Sequence, residues 1–321
     1  MRATYLVTGV AGFIGSALAA ALLERGERVR GIDNFATGKR ENLERCRGIE
    51  FIEGDVADPA EARRACASVG VVFHEAAIPS VPRSVAEPLE NNRANLDATV
   101  NLLVEARAAG VERFIYAASS AAYGNDPALP KHEDMTPAPL SPYAAAKVAG
   151  EHYLAAFHAS YGLTTVSLRY FNVFGPYQDA NSPYSGVLAR FIHAMLAGST
   201  PQVFGDGEQS RDFVYIDNVV AANLLAADAA AERVGGQTIN VGMGERISLN
   251  QILELLRPMT GCAGEVRYGA ERAGDVRHSV ADISRSQELL GFRPQVSFAE
   301  GLKRTVAWYR QATVVAARNS S

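Results

Sequence analysis

Tyr143 and Lys147 stand four positions apart in the run Ser-Pro-Tyr-Ala-Ala-Ala-Lys, so on a helix a phenol and an ammonium project from the same face. Such a pair can move a proton. A nearby cation stabilises phenolate and draws a tyrosine pKa from about 10 toward working pH, as a general base for a hydroxyl requires. Tyr and Lys at this spacing are common by chance, and alone they fit an ordinary surface lysine beside a packed tyrosine better. Upstream, however, residues 113-120 read as a strand that ends in Ser119-Ser120. A serine at the carboxyl end of a parallel strand points into the crevice where ligands bind, so Ser119 can hydrogen-bond the oxygen that Tyr143 deprotonates.

A second constellation opens the chain. Gly9, Gly12 and Gly15 follow the first apolar run directly and lead into a helical pattern. Glycines at the first two positions permit a tight turn and close backbone approach. The third lets helix and strand pack, and the helix N-terminus offers N–H groups to a pyrophosphate. A lone glycine turn is weak evidence, but here an acid, Asp33, ends the next strand. Its carboxylate can accept both adenosine-ribose hydroxyls and repels a 2'-phosphate, which favours NAD over NADP. Arg30, Lys39 and Arg40 nearby keep the phosphorylated cofactor open. Asp55, after the third strand, suits a loop cap as well as an adenine contact.

These groups need a scaffold. Residues 3-8, 28-33, 49-55, 70-77, 113-120 and 164-173 are short β-branched runs of the kind found in buried parallel strands. Helical spacing fills the gaps, from Ser16 to Arg25 and around Leu96, Val100 and Leu103, so the order is βαβα and the fold class a doubly wound parallel α/β sheet. Beyond residue 173 the pattern loosens, apart from a strand at 237-242 and an amphipathic helix from Leu249 to Arg257. The expected division is a dinucleotide-binding domain of residues 1-173 and 212-242 and a smaller C-terminal α/β substrate domain of residues 174-211 and 243-321. They should share an interface, where ligand pockets tend to form.

The 321 residues are 48% hydrophobic with a net charge of -4, and Lys and Arg are scattered, which argues against nucleic acid and membrane surfaces as partners. Three separated cysteines, Cys46, Cys66 and Cys262, give no metal spacing and suit a reducing cytosol as inert thiols. No apolar run is long enough for a membrane span, and the first is too short for a signal peptide. The expectation is a soluble cytoplasmic protein acting on a small molecule.

The strings TGVAGFIG, DNFATGKREN, HEAA at 74-77, YAASSAAYG, SPYAAAK, RYFNVFGP, GDGEQSRDFVYIDNV and GDVRHSVADIS follow one another across nearly the whole chain. In order and spacing they resemble the extended short-chain dehydrogenases/reductases, and within these the UDP-glucose/UDP-N-acetylglucosamine 4-epimerases. The resemblance implies a Rossmann sheet with NAD lined by Gly9, Gly12, Phe13, Ile14, Gly15, Asp33, Asn34, Thr37, Gly38, Asp55, Val56, Ala76, Ala77, Asn95 and Tyr170. Tyr143 and Lys147 would touch the nicotinamide ribose. It implies catalysis by Ser119, Tyr143 and Lys147, with Ser80, Ser119, Ser120 and Tyr143 near the sugar. Asn172 would hold the diphosphate, Phe204 border the uridine, Arg211 and Arg272 neutralise the diphosphate, and Asp275 accept a ribose hydroxyl. A homodimer paired through residues 92-109 and 143-161 is implied as well.

Three positions depart from galactose-pathway epimerases: Pro79 beside the nicotinamide, Ala121 in a serine run, and Ser279 where a bulky tyrosine often closes the sugar pocket. A small residue at 279 should admit a 2-acetamido group. Rival readings are a 4,6-dehydratase, which lacks its acid-base pair because Ala121-Ala122 stand there, and a uronic-acid epimerase or decarboxylase, which needs a cation where Tyr177-Gln178-Asp179 offers an acid. A non-catalytic NAD-binding sensor is the reading from another class, and the intact Ser119, Tyr143 and Lys147 speak against it.

Overall fold

Residues 4–179, 186–271 and 276–319 are described by the computed structural model, with side chains to residue 312. Seven strands form one parallel sheet. In chain order they are β1 (Thr4–Thr8), β2 (Arg28–Asp33), β3 (Glu50–Glu53), β4 (Val69–His74), β5 (Arg113–Ser119), β6 (Thr164–Tyr170) and a last strand, Gln237–Val241. In space the order is Gln237–Val241, β6, β5, β4, β1, β2, β3. The chain therefore departs in opposite directions on either side of β1 and β4, and this switch point opens a crevice at the carboxyl ends of the strands.

Helices cover both faces, as parallel strands require. On one face α1 (Phe13–Glu24) packs with the helix Ile216–Asp228, burying Leu18, Leu22, Val219 and Ala222 against Val7 and Phe73. On the other, α2 (Pro59–Cys66), α5 (Ala98–Ala108) and α6 (Pro142–Tyr161) bury Ala62, Leu102, Leu103 and Leu154 against Leu6, Val72 and Phe114. The first core runs on into the C-terminal elements through Leu188, Ile192, Ile252, Leu256 and Leu302, so the sheet and those elements share one apolar cluster.

The expected strands agree with the observed ones to within a few residues, and the differences have local causes. The run 70-77 stops being strand at His74 because the chain then bends over the glycine turn, where the Thr8 hydroxyl accepts from the Ala76 N–H at 3.1 Å. The run 164-173 breaks at Phe171, which is buried against Tyr123 and Ala281. A short β7 (Asn172–Phe174) then leaves the sheet and pairs in parallel with Phe213–Tyr215. The amphipathic helix extends over Leu249–Thr260, started by a Ser248/Gln251 capping box. Among the described residues no helix is long and apolar enough to cross a membrane and no cluster of acidic, His or Cys side chains could hold a metal. Burial pushes the Cys46 thiol up to about 11 and Cys66 up to about 12, which suits unreactive thiols.

Candidate active site

Two cavities meet at Tyr143. The first, about 360 Å³, is lined by Gly9, Gly12, Phe13, Ile14 and Gly15 at the turn and by Asp33, Asn34 and Thr37 after β2. Asp55, Val56, Glu75, Ala76, Ala77, Tyr143, Lys147 and Tyr170 also line it, with Tyr177, Gln178 and Asp179 on another wall. The fit to a dinucleotide can be read from the backbone. Gly9 has φ +65°, and a Cβ there would lie 2.8 Å from the Ala76 backbone; a Cβ on Gly15 would lie 2.2 Å from the Gly9 carbonyl oxygen. Only glycine closes this turn. The first turn of α1 has no side-chain cap, so its N–H groups face the cavity's phosphate position.

Asp33 is buried, and its carboxylate accepts from Ala11 N at 2.9 Å and Phe35 N at 2.8 Å. Burial raises its pKa and those N–H groups oppose the rise. The three cations that kept a 2'-phosphate open are all engaged. Arg30 holds Glu50 and the Ala65 and Ala67 carbonyls, Arg40 pairs with Glu53 at 2.7 Å, and Lys39 pairs with Asp179 at 2.9 Å. Gly38 lies behind the wall, against Ala11 and Asp33. Asp55 caps its loop, accepting from Ala57 N at 2.9 Å, and also lines the cavity and pairs with Arg93 at 2.8 Å.

The catalytic candidates converge. Ser141 caps α6 by accepting from Ala144 N at 3.2 Å, with Pro142 in the first turn, and this sets Tyr143 over the end of β5. The Ser119 hydroxyl is near enough to the phenol to pull its pKa down, and its oxygen accepts from Ala121 N at 3.2 Å. One turn on, the buried Lys147 ammonium donates to the Ala117 carbonyl at 2.7 Å and lies over the Tyr116 ring. The expectation that Lys147 lowers the Tyr143 pKa is not met in the protein alone. Burial pushes the phenol up, and the Ser119 hydroxyl is what opposes it. The ammonium is tied instead to the Ala117 carbonyl of β5, and burial pushes Lys147 itself down to about 8 against the pull of Glu75 and Glu151.

The second cavity, about 600 Å³, is lined by Ser119, Ser120, Ala121, Tyr123, Lys131, Tyr143, Tyr170, Asn172, Arg211 and Ser279 among others. Asn172 donates to the Asp212 carbonyl at 3.0 Å. The Arg211 guanidinium is held by the carbonyls of Ser210 and Arg277 at 3.0 and 3.1 Å, and Ser279 is tied by its N–H to Ser210 O at 3.1 Å. Lys131 is a cation in this wall that the sequence reading did not identify, but its ammonium is turned onto the Asp126 carbonyl.

Some expected contacts are used elsewhere. Asn95 is buried in a π-helical turn, Arg93–Asp97, and its amide brackets Ile78, accepting from the N–H at 2.8 Å and donating to the carbonyl at 3.3 Å. It shapes the cavity wall from behind. Ser80 caps the helix Val81–Ala86 by accepting from Arg83 N at 3.1 Å. Phe204 ends the strand Gln202–Phe204, which pairs with Arg267–Gly269, and is not in the wall of either cavity. Arg272 and Asp275 lie outside the described residues.

The sequence reading also passed over Glu75. It accepts from the Tyr170 hydroxyl at 2.8 Å, and that oxygen takes a hydrogen bond from Asn223 at 2.7 Å. Burial pushes the Glu75 carboxyl up to about 7, with Tyr170 and Lys147 pulling it down. The only signal for it was an acid where a buried parallel strand ends.

A family model, the NAD dependent epimerase/dehydratase family, matches residues 5–242. The UDP-glucose 4-epimerase of Mycolicibacterium smegmatis is 42% identical over 311 residues, which is 95% of this chain and 98% of that one. A UDP-glucose 4-epimerase from Thermotoga maritima, solved with UDP-glucose, is 40% identical with a TM-score of 0.92, over 97% of this chain and 99% of that one. A UDP-N-acetylglucosamine 4-epimerase from Methanobrevibacter ruminantium, in complex with UDP-N-acetylmuramic acid, is 41% identical with a TM-score of 0.92, over the same shares of 97% and 99%. A match across the whole sheet, together with a turn, an acid and a Ser-Tyr-Lys group in the arrangement a dinucleotide needs, means that this chain belongs to the NAD dependent epimerase/dehydratase family, with NAD as its cofactor.

Proposed function

We propose that the protein is a UDP-hexose 4-epimerase that interconverts UDP-Glc with UDP-Gal and UDP-GlcNAc with UDP-GalNAc. The observation that carries this reading is that Tyr143 lines both cavities, with Ser119 beside it in the second, so one phenol faces the dinucleotide and the sugar together. NAD, when bound, would supply a reversible hydride acceptor, so that the reaction involves no net oxidation. Tyr143 takes the proton from the sugar O4 and gives it back, Ser119 holds that oxygen, and Lys147 keeps positive charge beneath them. Arg211, a fork of parallel donors, anchors the diphosphate with Asn172, and Arg272 and Asp275 are assigned the rest of the nucleotide.

The hexose side carries small neutral groups, Ser119, Ser120, Ala121 and Ser279, which leave room for a keto sugar to turn over. We read residues 1-173 with 212-242 as the NAD domain and residues 174-211 with 243-321 as the sugar-nucleotide domain. A homodimer through residues 92-109 and 143-161 is supported by exposed apolar side chains there, Val104 and Tyr153, and by Val85 and Leu89 beside them, Leu89 being 86% exposed.

The test is a product analysis. Purified protein is incubated separately with UDP-Glc, UDP-GlcNAc and UDP-GlcA, and the products are resolved. C4 epimers of the first two are expected; conversion of UDP-GlcA alone, or release of carbon dioxide from it, overturns the reading.

A further inference from the structure

Glu75 stands where the reacting end of the dinucleotide must lie. The neighbouring strands β2, β1, β4, β5 and β6 end in succession at Asp33, at Thr8 before the glycine turn, at His74 with Glu75 next, at Ser119 and at Tyr170. Asp33 fixes the adenosine end on the β2 side and Tyr143 the reacting end on the β5 side. The residue after β4 is therefore in the nicotinamide half, one strand spacing of about 4.8 Å from each neighbour. Glu75 lines that part of the cavity. We propose that Glu75 is a positioning residue for redox balance, whose carboxylate in the wall beside Lys147 and Tyr170 holds the bound cofactor toward its oxidised, positively charged form.

The reasoning is electrostatic. Hydride uptake removes the positive charge of the nicotinamide ring, so an ionised carboxylate in the same low-dielectric wall stabilises the oxidised form more than the reduced one. Lys147 acts in the opposite sense, and an acid beside it offsets that bias. The groups facing Glu75 are few. β6 presents Tyr170, whose hydroxyl donates to it, α6 presents the Lys147 ammonium, and the helix Ile216–Asp228 presents the uncharged Asn223. Its chain neighbour His74 turns to the other face and is bound by Thr8 and Thr99 at 2.8 and 3.0 Å, with burial pushing it down to about 3, so it stays neutral. Glu151, farther along α6, is held in a two-pronged pair by Arg169 at 2.8 and 2.7 Å.

Because burial pushes Glu75 up to about 7, the bias is present above that pH and fades below it, as the carboxyl takes up a proton. For an enzyme that must regain oxidised cofactor before each turnover, this charge suppresses a dead-end reduced form. The inference rests on NAD binding, takes its use from the epimerase reading, and is tested without any sugar.

Holoenzyme is equilibrated with a two-electron redox dye couple at fixed potential, the dye supplying the two electrons and the solvent the proton. The ratio of reduced to oxidised bound cofactor is read from the absorbance of the reduced nicotinamide. At about pH 8.5 Glu75→Gln should raise that ratio about tenfold over the unaltered protein, while near pH 5.5 the two should agree within about twofold; Glu75→Asp should retain most of the bias. An equal ratio at both pH values, or an equal rise at both, overturns the proposal, the second result being what a merely structural role gives. Should Glu75→Gln fail to fold, Tyr170→Phe keeps the charge but removes its donor. The pH at which the ratio changes must then move upward, and an unmoved midpoint rejects the idea.

Discussion

Replacing Trp308 with alanine should loosen the segment Gly175–Asp179 and speed the loss of NAD. Tyr177, Gln178 and Asp179 form one wall of the dinucleotide cavity. Tyr177 is held in a left-handed conformation, φ +68°, which costs a non-glycine residue roughly 1–2 kcal/mol and needs something to hold it. Two contacts do so: the Arg45 guanidinium lies 4.2 Å from the Tyr177 ring centre, and the Trp308 ring packs against it at 5.0 Å, tilted by 41°. An aromatic pair contributes about 0.5–1.5 kcal/mol, so its loss should raise the NAD dissociation rate roughly 2- to 13-fold. At the far end of the segment, Lys39 and Asp179 pair at 2.9 Å with side chains 48% and 31% exposed. Solvent screening limits such a pair to about 0.2–1 kcal/mol, so Lys39→Ala should give at most about a fivefold increase, and that increase should vanish in high salt. The assay chases bound NAD with an excess of labelled cofactor and follows exchange in each variant, with thermal unfolding as a control for global loss of structure. Exchange as slow in Trp308→Ala as in the unaltered protein, with no salt dependence of the Lys39→Ala effect, would falsify the view that this segment retains the cofactor.

Tyr143→Phe removes the proton carrier and should lower turnover by roughly 100-fold or more while leaving NAD bound; near-normal epimerisation refutes the assignment. Ser279→Tyr fills part of the second cavity and should reduce kcat/KM for UDP-GlcNAc by about ten- to a hundred-fold, the overpacking cost of about 1–3 kcal/mol, while sparing UDP-Glc; an unchanged ratio between the two means that residue 279 is not the gate. Leu89→Glu puts a charge on the exposed apolar face and should shift the mass in solution at micromolar concentration from dimer to monomer, so a mass unaffected by the change argues for another interface. Asp212 is fully buried and accepts from Met243 N, Gly244 N and Ala281 N at 2.8, 3.0 and 3.2 Å. Asp212→Asn turns at least one of those contacts into donor against donor, and urea unfolding should show a loss of about 1–3 kcal/mol, with no loss if the loops rearrange around it.

The sheet was legible because strands buried on both faces are written as continuous β-branched runs, and the turn because only glycine fits against Ala76 and within its own loop. The Ser119, Tyr143 and Lys147 group was legible from spacing and order. The role of each partner was not, since it depends on which way a side chain turns. Lys147 is drawn to the Ala117 carbonyl, a three-dimensional fact that no spacing encodes, and so the phenol's electrostatics were misjudged. Asn95 and Ser80 were placed at the ligand by motif, yet a π-helical turn directs the first at Ile78 and an N-cap takes the second. Two- and three-residue strands such as Gln202–Phe204 and Ser210–Arg211 carry too little pattern to be read at all.

What joins these observations is a separation of charge across Tyr143. Buried ionisable groups around Tyr143 compensate one another: Lys147 with Glu75 in the dinucleotide wall, and, outside that wall, Glu151 with Lys147 and with Arg169 at 2.7 Å. Each isolated ion there would cost several kcal/mol, so the pairs must persist together. On the sugar side the wall has hydroxyls and methyls, with Arg211 also in it and Lys131 turned onto a backbone carbonyl. Strong, directional contacts are thus available to whatever is fixed during the reaction, and weak ones to whatever must move. On the proposed reading, a ligand anchored by its diphosphate presents either face of its ring to the same Tyr143, because Ser119, Ser120, Ala121 and Ser279, the small neutral groups described on that side, have no ion-pair geometry to lose when it turns.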